Sequence, residues 1–296
     1  MKAMIFGSNG QDGYYLNRLF DREHIECICI SRKGNGIHGD VGDTKFVDTQ
    51  IREHQPTHIF HLAARSSTHH SALFENHHTI CTGTLNILEA VKVYCPSAKI
   101  FISGSAMQFK NEGVPIDELT PFEASSPYSV ARIQSVYAAR YYRSKFGLQV
   151  YVGYFFNHDS PLRTEQHVNQ KIVQAVKRIQ AGSPEKLELG NIDVKKEFSY
   201  AGDIAEAVWI LVNQTAVFEA VIGSGKAYSI REWAEYCFRK INREWQDSVV
   251  KKAGFAAEYD LLVSKPALMK SLGWEPKVDF YQLADMMMTE NLLKDH

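Results

Sequence analysis

The chain lacks the features that mark several protein classes. It has no surplus of charge: 33 Lys and Arg stand against 34 Asp and Glu, a formal net charge of −1. A near-neutral chain offers no global field for nucleic acid or an anionic membrane, so neither is expected as a partner. No run approaches the roughly 18 apolar residues that a membrane span needs. The opening MKAMIFG is too short an apolar stretch for a leader and passes straight into a strand–turn pattern. The five cysteines, Cys27, Cys29, Cys81, Cys95 and Cys237, are odd in number and lie in apolar segments. That excludes a disulfide framework and fits a reduced, cytoplasmic protein. His69-His70 and His77-His78 have no Cys or Asp at ligand spacing, so no metal is expected. There is no repeat, low-complexity tract or long linker.

What is present is an ordinary globular mix, 45% hydrophobic and 23% charged over 296 residues, enough for a well-buried core. The first half alternates short apolar runs with longer amphipathic ones. Strands are expected at Ala3 to Phe6, Glu26 to Ile30, Lys45 to Val47, Thr57 to Leu62, Lys99 to Ser103 and Leu148 to Tyr154. Helices are expected at Thr79 to Val93 and Tyr128 to Phe146, with another through Tyr15, Leu16, Leu19 and Phe20. This alternation implies βαβ units and an α/β fold, a Rossmann-type doubly wound parallel sheet. Past residue 160 the alternation fails. Helices are read at Val168 to Gln180, Ile204 to Asn213, Ser229 to Ile241 and Phe280 to Lys294, with a polar, basic segment from Gly190 to Phe198. We therefore assign residues 1–160 to the dinucleotide-binding domain and 161–296 mainly to a small C-terminal α/β substrate-binding cap. The stretch at about 200–225 completes the sheet.

Gly7-Ser8-Asn9-Gly10-Gln11-Asp12-Gly13 follows a strand and opens a helix. The first glycine permits the turn, the second lets backbone approach a pyrophosphate, and the third brings helix and strand together. Phosphate would rest on the free N–H groups at the helix start. Strand two ends in Ser31-Arg32-Lys33, with no carboxylate for a ribose 2′-OH. Two cations there favour a 2′-phosphate, hence NADP(H).

These residues resemble the extended short-chain dehydrogenase/reductases, and within them the GDP-mannose 4,6-dehydratase and GDP-4-keto-6-deoxymannose reductase group. Gly7 to Leu16 (GSNGQDGYYL) looks like the dehydratase glycine motif, Gly39-Asp40-Val41 like the segment that meets the adenine, and His61-Leu62-Ala63-Ala64 like the fourth-strand motif. Phe156-Asn157-His158-Asp159-Ser160-Pro161 is the most specific match. Leu189-Gly190-Asn191 with Lys195, Lys196 and Glu197 looks like the nucleotide-diphosphate clamp, and Leu272 to Pro276 like the C-terminal signature. The resemblance implies a sheet of about seven strands and a Ser, Tyr and Lys catalytic group acting at sugar carbon 4. It places Gly7, Asn9, Gly10, Gln11, Asp12, Arg32, Asp40, Leu62, Ala63, Ala64, Phe155, Asn157, His158 and Arg163 on the cofactor, together with Tyr128 and Arg132. It places Ser105, Met107, Asn157, Val168, Lys171, Gly190, Lys196 and Glu258 on a nucleotide sugar, with a GDP-hexose favoured.

The chain also departs from the family. Ser126-Pro127-Tyr128 opens the right helix, but Arg132 stands where the lysine of YxxxK belongs. One helical turn keeps Arg132 beside Tyr128. Its charge would favour the tyrosinate, yet a guanidinium cannot share a proton at neutral pH. Ser105 falls on the catalytic hydroxyl. Met107 falls on or beside the glutamate that takes the carbon 5 proton in dehydratases, and a thioether is no base. Glu112 is a spatial candidate to replace it. The loop from Lys33 to His38 is short, and Phe255-Ala256-Ala257 replaces an arginine expected before Glu258. Tyr137 and Tyr141 share a helix face that fits a homodimer contact. Three activities follow: an NADP(H)-dependent reductase of an NDP-4-keto-6-deoxyhexose, first; a 4,6-dehydratase (lyase) with a substituted base; or a weak paralogue that binds sugar nucleotide.

Overall fold

A computed structural model describes residues 1–255 and 257–289. The interior of its main sheet includes β1 (Lys2–Phe6), whose last four residues are all apolar and buried. A strand buried on both faces needs cover on both sides. Met4 and Phe6 join one core cluster, Ala3 and Ile5 another. Around β1 lie β2 (Glu26–Ser31), β3 (Ile37–His38), β4 (His58–His61), β5 (Lys99–Ser105) and β6 (Gln149–Phe155). Further along the chain come β7 (His158–Asp159), β8 (Leu187–Leu189), β9 (Lys195–Glu197), β10 (Ser199–Tyr200), β11 (Glu219–Ile222), β12 (Ala227–Ser229), β13 (Val249–Lys251) and β14 (Leu261–Leu262). The main sheet has seven strands in the order β11-β6-β5-β4-β1-β2-β3. Every pairing in it is parallel. The α/β, doubly wound expectation therefore holds.

Helices cover both faces. In chain order they are α1 (Gln11–Arg22), α2 (Thr44–His54), α3 (Leu73–Asn76), α4 (Gly83–Tyr94), α5 (Pro127–Phe146), α6 (Val168–Gln180), α7 (Ala201–Val212), α8 (Ile230–Arg239), α9 (Ala267–Ser271) and α10 (Phe280–Thr289). α1 and α7 supply one core cluster, while α2, α4 and α5 supply the other. Their placement on opposite faces follows from right-handed crossovers on a strand order that reverses at β1. No helix among the described residues is long and apolar enough to cross a membrane.

The segment Lys45 to Val47, read as a strand, is helical. The Asp43 carboxylate accepts from the backbone N–H groups of Lys45 at 2.9 Å and Phe46 at 3.2 Å, capping α2, whose Val47 and Ile51 are buried. The third strand is instead β3, paired with the end of β2. The helix expected from Thr79 enters as a π-helical stretch, His77–Thr82, before α4 begins. The polar segment from Gly190 to Phe198 contains β9, the middle strand of a three-stranded sheet β12-β9-β14. The expected capping box at Ser229 and Glu232 is formed. The last helix is described to Thr289, and its expected end at Lys294 lies outside the described residues.

Two carboxylates, one partly buried and one buried, tie these layers together. Glu219, at the start of β11, accepts from Arg140 Nη2 at 2.7 Å, Arg143 Nη2 at 2.5 Å and the Tyr154 hydroxyl at 2.6 Å. That fixes α5 against β6 and β11. Glu197, at the end of β9, accepts from the backbone and hydroxyl of Ser264, both at 2.6 Å, and from the N–H groups of Ser224 at 2.5 Å and Gly225 at 3.2 Å.

Candidate functional site

The carboxyl ends of β1, β4, β5 and β6 open into a cleft of about 480 Å³. A second hollow of about 550 Å³ adjoins it along the ends of β1 and β2. This is where a doubly wound sheet changes direction and leaves a crevice. Gly7 lines both, at φ +96°, and a Cβ there would meet the Ala63 backbone nitrogen at 2.6 Å. A Cβ on Gly13 would stand 2.4 Å from the Gly7 carbonyl oxygen. Both positions therefore require glycine. No side chain caps α1 at Gly10. Its first N–H groups are left for an anion. Asn9, Gly10, Arg32, Asp40, Leu62, Ala63 and Ala64 line the second hollow. The glycine turn and the two adjoining hollows suit a dinucleotide.

Gln11, Asp12, Phe155, Asn157, His158 and Arg163 line the main cleft. His158 Nε2 lies 2.8 Å from Asp12 Oδ1, and its Nδ1 lies 2.8 Å from the Phe156 carbonyl. Burial alone would raise the Asp12 carboxyl, but His158, with Arg163 and Gln11, holds it far below the usual carboxylate range. Burial would lower His158, and the Asp12 charge and hydrogen bond override it, so the imidazole is raised. The pair joins the cofactor-side helix to the segment after β6.

One wall of the main cleft carries Ser105, Met107, Tyr128 and Arg132. Ser105 ends β5 and caps a short 3-10 turn, its Oγ accepting from the Met107 N–H at 3.2 Å. Tyr128 sits in the first turn of α5, set by Ser126 as N-cap and Pro127 behind it. Arg132 is buried. Its guanidinium lies 5.0 Å from the centre of the Tyr128 ring. Its Nη1 donates to the Ser103 hydroxyl at 2.8 Å and to the Ser103 carbonyl oxygen. Arg132 is thus beside Tyr128, as the spacing requires, but its Nη1 is turned to the floor of β5. Below it His61 is held down to about 4 by burial and by the Arg132 charge.

A third groove of about 600 Å³ continues from the cleft. Val168, Lys196, Glu258 and Tyr259 line both, so they mark the junction. Lys171 and Gly190 line only the groove, as do Lys252 and Phe255. Lys196 is buried, which lowers its ammonium despite the nearby Asp159. Asp159 itself is kept low against burial by Arg163 and Lys196. A buried cation at the junction of a sugar-sized cleft and a longer groove suits a diphosphate.

The GDP-mannose 4,6 dehydratase family matches residues 4–287, almost the whole chain. This chain belongs to that family. Among curated relatives it is 30% identical to GDP-mannose 4,6 dehydratase 1 of Arabidopsis thaliana, over 98% of this chain and 89% of that one. It is 28% identical to the Homo sapiens GDP-mannose 4,6 dehydratase, over 97% and 90%. Among solved structures, RMD from Pseudomonas aeruginosa complexed with NADPH superposes with a TM-score of 0.86 at 21% identity, covering 100% of this chain and 99% of that one. UDP-glucose 4-epimerase from Thermotoga maritima superposes at 0.87 with 17% identity, covering 100% and 99%. At these identities the structures speak for the fold alone.

Set in the GDP-mannose 4,6-dehydratase family, the site differs at named positions. Glu112 does not line the cleft; it is exposed and paired with Lys110 at 2.7 Å, so it is no substitute for a base at Met107. Glu197, grouped by sequence with the diphosphate clamp, points into the scaffold. Phe255, in the stretch where an arginine was expected, lines the groove with its ring against Gly190; Ala256 lies outside the described residues. Thr68 and Tyr259 were not singled out in the sequence. Thr68 Oγ1 donates to Glu258 Oε1 at 2.5 Å, and burial, with Glu258 beside it, pushes the Tyr259 phenol up to about 12. The only signal for Tyr259 was its place next to Glu258.

Proposed function

We propose that this protein is an NADP(H)-dependent reductase of a nucleoside-diphosphate 4-keto-6-deoxyhexose, with GDP as the favoured nucleotide. The observation that carries the reading is the catalytic wall: Ser105 and Tyr128 are in place, while the family's carbon 5 base position holds Met107. Reduction of a carbon 4 ketone needs a proton donor and a polarising hydroxyl, not a carbon 5 base. The three lining carboxylates are also engaged: Asp12 with His158, Asp159 with Arg163, Glu258 with Thr68.

In this mechanism NADPH, when bound along the glycine turn, supplies the hydride. Tyr128 donates its phenolic proton to the carbonyl oxygen as it becomes the alcohol oxygen. Ser105 donates a hydrogen bond to the same oxygen. Arg132 holds the β5 floor through Ser103 and lends positive charge under the Tyr128 ring, which stabilises the phenolate left behind. Lys196 and Lys171 bind the diphosphate side of the substrate. Exposed Tyr137 and Tyr141 on α5, with Leu85 and Val93 on α4, form the face we assign to a homodimer.

The relatives' names favour a second reading, dehydration of GDP-mannose by a replaced base. One experiment separates them. The purified protein is incubated with NADPH and GDP-4-keto-6-deoxymannose, and separately with GDP-mannose, with products weighed by mass spectrometry. NADPH consumption with a gain of two hydrogens is expected. Loss of water from GDP-mannose without net NADPH change would overturn the reductase reading in favour of dehydration. No turnover of either would leave a binding role.

A further inference from the structure

Beyond the glycine turn, one cluster at the adenosine end of the trough has no part in the chemistry above. Arg32 leaves the end of β2, where a dinucleotide-binding sheet meets the adenosine ribose. Arg65 lies four residues past the end of β4, in the loop that follows. Glu75, on α3, stands between them: Arg65 Nη1 donates to its Oε2 at 2.5 Å, and Arg32 Nη2 lies 3.5 Å from its Oε1. The two cations thus take opposite oxygens of one carboxylate. The loop is pinned to α3, because buried Asn76 donates through Nδ2 to the Ser67 carbonyl at 2.9 Å. Both arginine side chains are more than half exposed, so neither is there to fill a core.

Two guanidinium groups converging on a pair of oxygens have the geometry that binds a phosphate. A single carboxylate leaves them with one net positive charge, whereas a dianionic phosphate balances both. We propose that Arg65, opposite Arg32, is the second jaw of the 2′-phosphate site, and that Glu75 is a built-in competitor for it. The phosphate displaces the carboxylate from the arginines when the cofactor binds. Cofactor choice is then set by the contest between Glu75 and the ligand, and not by Arg32 alone. The inference rests on the NADP(H) reading.

The test uses full-length protein and four probes: NADPH, NADH, adenosine 2′,5′-bisphosphate and 5′-AMP, with affinities from calorimetry. Arg65→Met should weaken NADPH and the bisphosphate by about ten- to a hundredfold, the range for losing one charged hydrogen-bonding partner. NADH and 5′-AMP should change by less than about twofold. Glu75→Gln should tighten the bisphosphate about three- to tenfold at low salt, with the gain shrinking as salt rises. Thermal midpoints within a few degrees of the parent establish that each variant is folded. Equal weakening of all four probes in Arg65→Met, or weaker bisphosphate binding in Glu75→Gln, overturns the proposal. If the parent protein itself binds NADH as tightly as NADPH, the NADP(H) reading falls and takes the inference with it. If the parent prefers NADPH and Arg65→Met keeps that preference, only the inference fails.

Discussion

Glu219 should be a residue whose charge the fold cannot easily spare. It is mostly buried and accepts hydrogen bonds from Arg140, Arg143 and Tyr154. Burial alone would raise its carboxyl, but those three donors hold it down to about 2, against an ordinary 4.5. At about 1.4 kcal/mol per tenfold change in proton affinity, that difference corresponds to about 3 kcal/mol. Arg140 is partly exposed, so screening reduces the figure to about 2 kcal/mol at neutral pH. Glu219→Gln keeps the shape and removes the charge. The melting midpoint at pH 7 should fall by about 4–8 °C in a chain of this size. The sign with pH follows from a depressed carboxyl: its stabilisation is fully present above 4.5 and is lost as pH falls towards 2. The gap between parent and variant should therefore close below pH 4.5. Differential scanning calorimetry from pH 3 to pH 8 reads both. A fall of under 1 °C at pH 7, or a gap that does not narrow in acid, would refute the reasoning. Because Glu219 holds the helix that carries Tyr128, kcat should also drop more than KM rises.

Four further outcomes are expected. Tyr128→Phe should lower kcat by about 10²- to 10⁴-fold, as loss of a general acid does, with NADPH affinity by calorimetry changed little; a tenfold loss or less would remove Tyr128 as the donor. Met107→Glu should create or raise water loss from GDP-mannose, read by mass spectrometry, and no gain would mean the base position lies elsewhere. Lys196→Met should raise KM for the nucleotide sugar by about tenfold or more, the scale of one charged contact to phosphate, and an unchanged KM would move the diphosphate away from the junction. Asp12→Asn should destabilise most between pH 3.8 and 6.5: the lowered Asp12 contributes above 3.8, and the raised His158 contributes fully below 6.5 and is lost as pH climbs through its folded value. A melting-point difference larger at pH 8 than at pH 5 would contradict that pairing.

The parallel sheet and the glycine turn were legible because their signals are local. A short apolar run such as Ala3 to Phe6, bounded by a glycine turn, reads as a buried strand, and Gly7 and Gly13 occupy places where a Cβ collides with backbone. Apart from Glu197, the residues singled out for cofactor and sugar nucleotide by role line the trough or, for Lys171 and Gly190, the groove that continues it, since most of the motifs that carried them sit at strand ends. Less was legible where a cap outweighed composition. Lys45 to Val47 has a strand-like look, but Asp43 and the Val47 and Ile51 spacing of four decide for helix. Side-chain direction was also out of reach. Nothing in the order of Lys195, Lys196 and Glu197 says that the middle one faces the cleft and the last faces the scaffold, until β9 is known to be a strand whose neighbours alternate. Glu75 had no motif at all, because its partners lie ten and 43 residues away and meet it only in the folded chain.

The Glu197 latch limits how this family member can be recombined. One carboxylate on β9 is shared by Ser224, Gly225 and Ser264, three positions spread over 41 residues. A chimera that borrowed only the groove segment around Gly190 to Phe198 from an enzyme of different nucleotide preference would import a strand without its receptors, or receptors without their strand. Exchange of base or sugar specificity should therefore succeed as a cassette that carries all four positions together, and fail when the segment is moved alone.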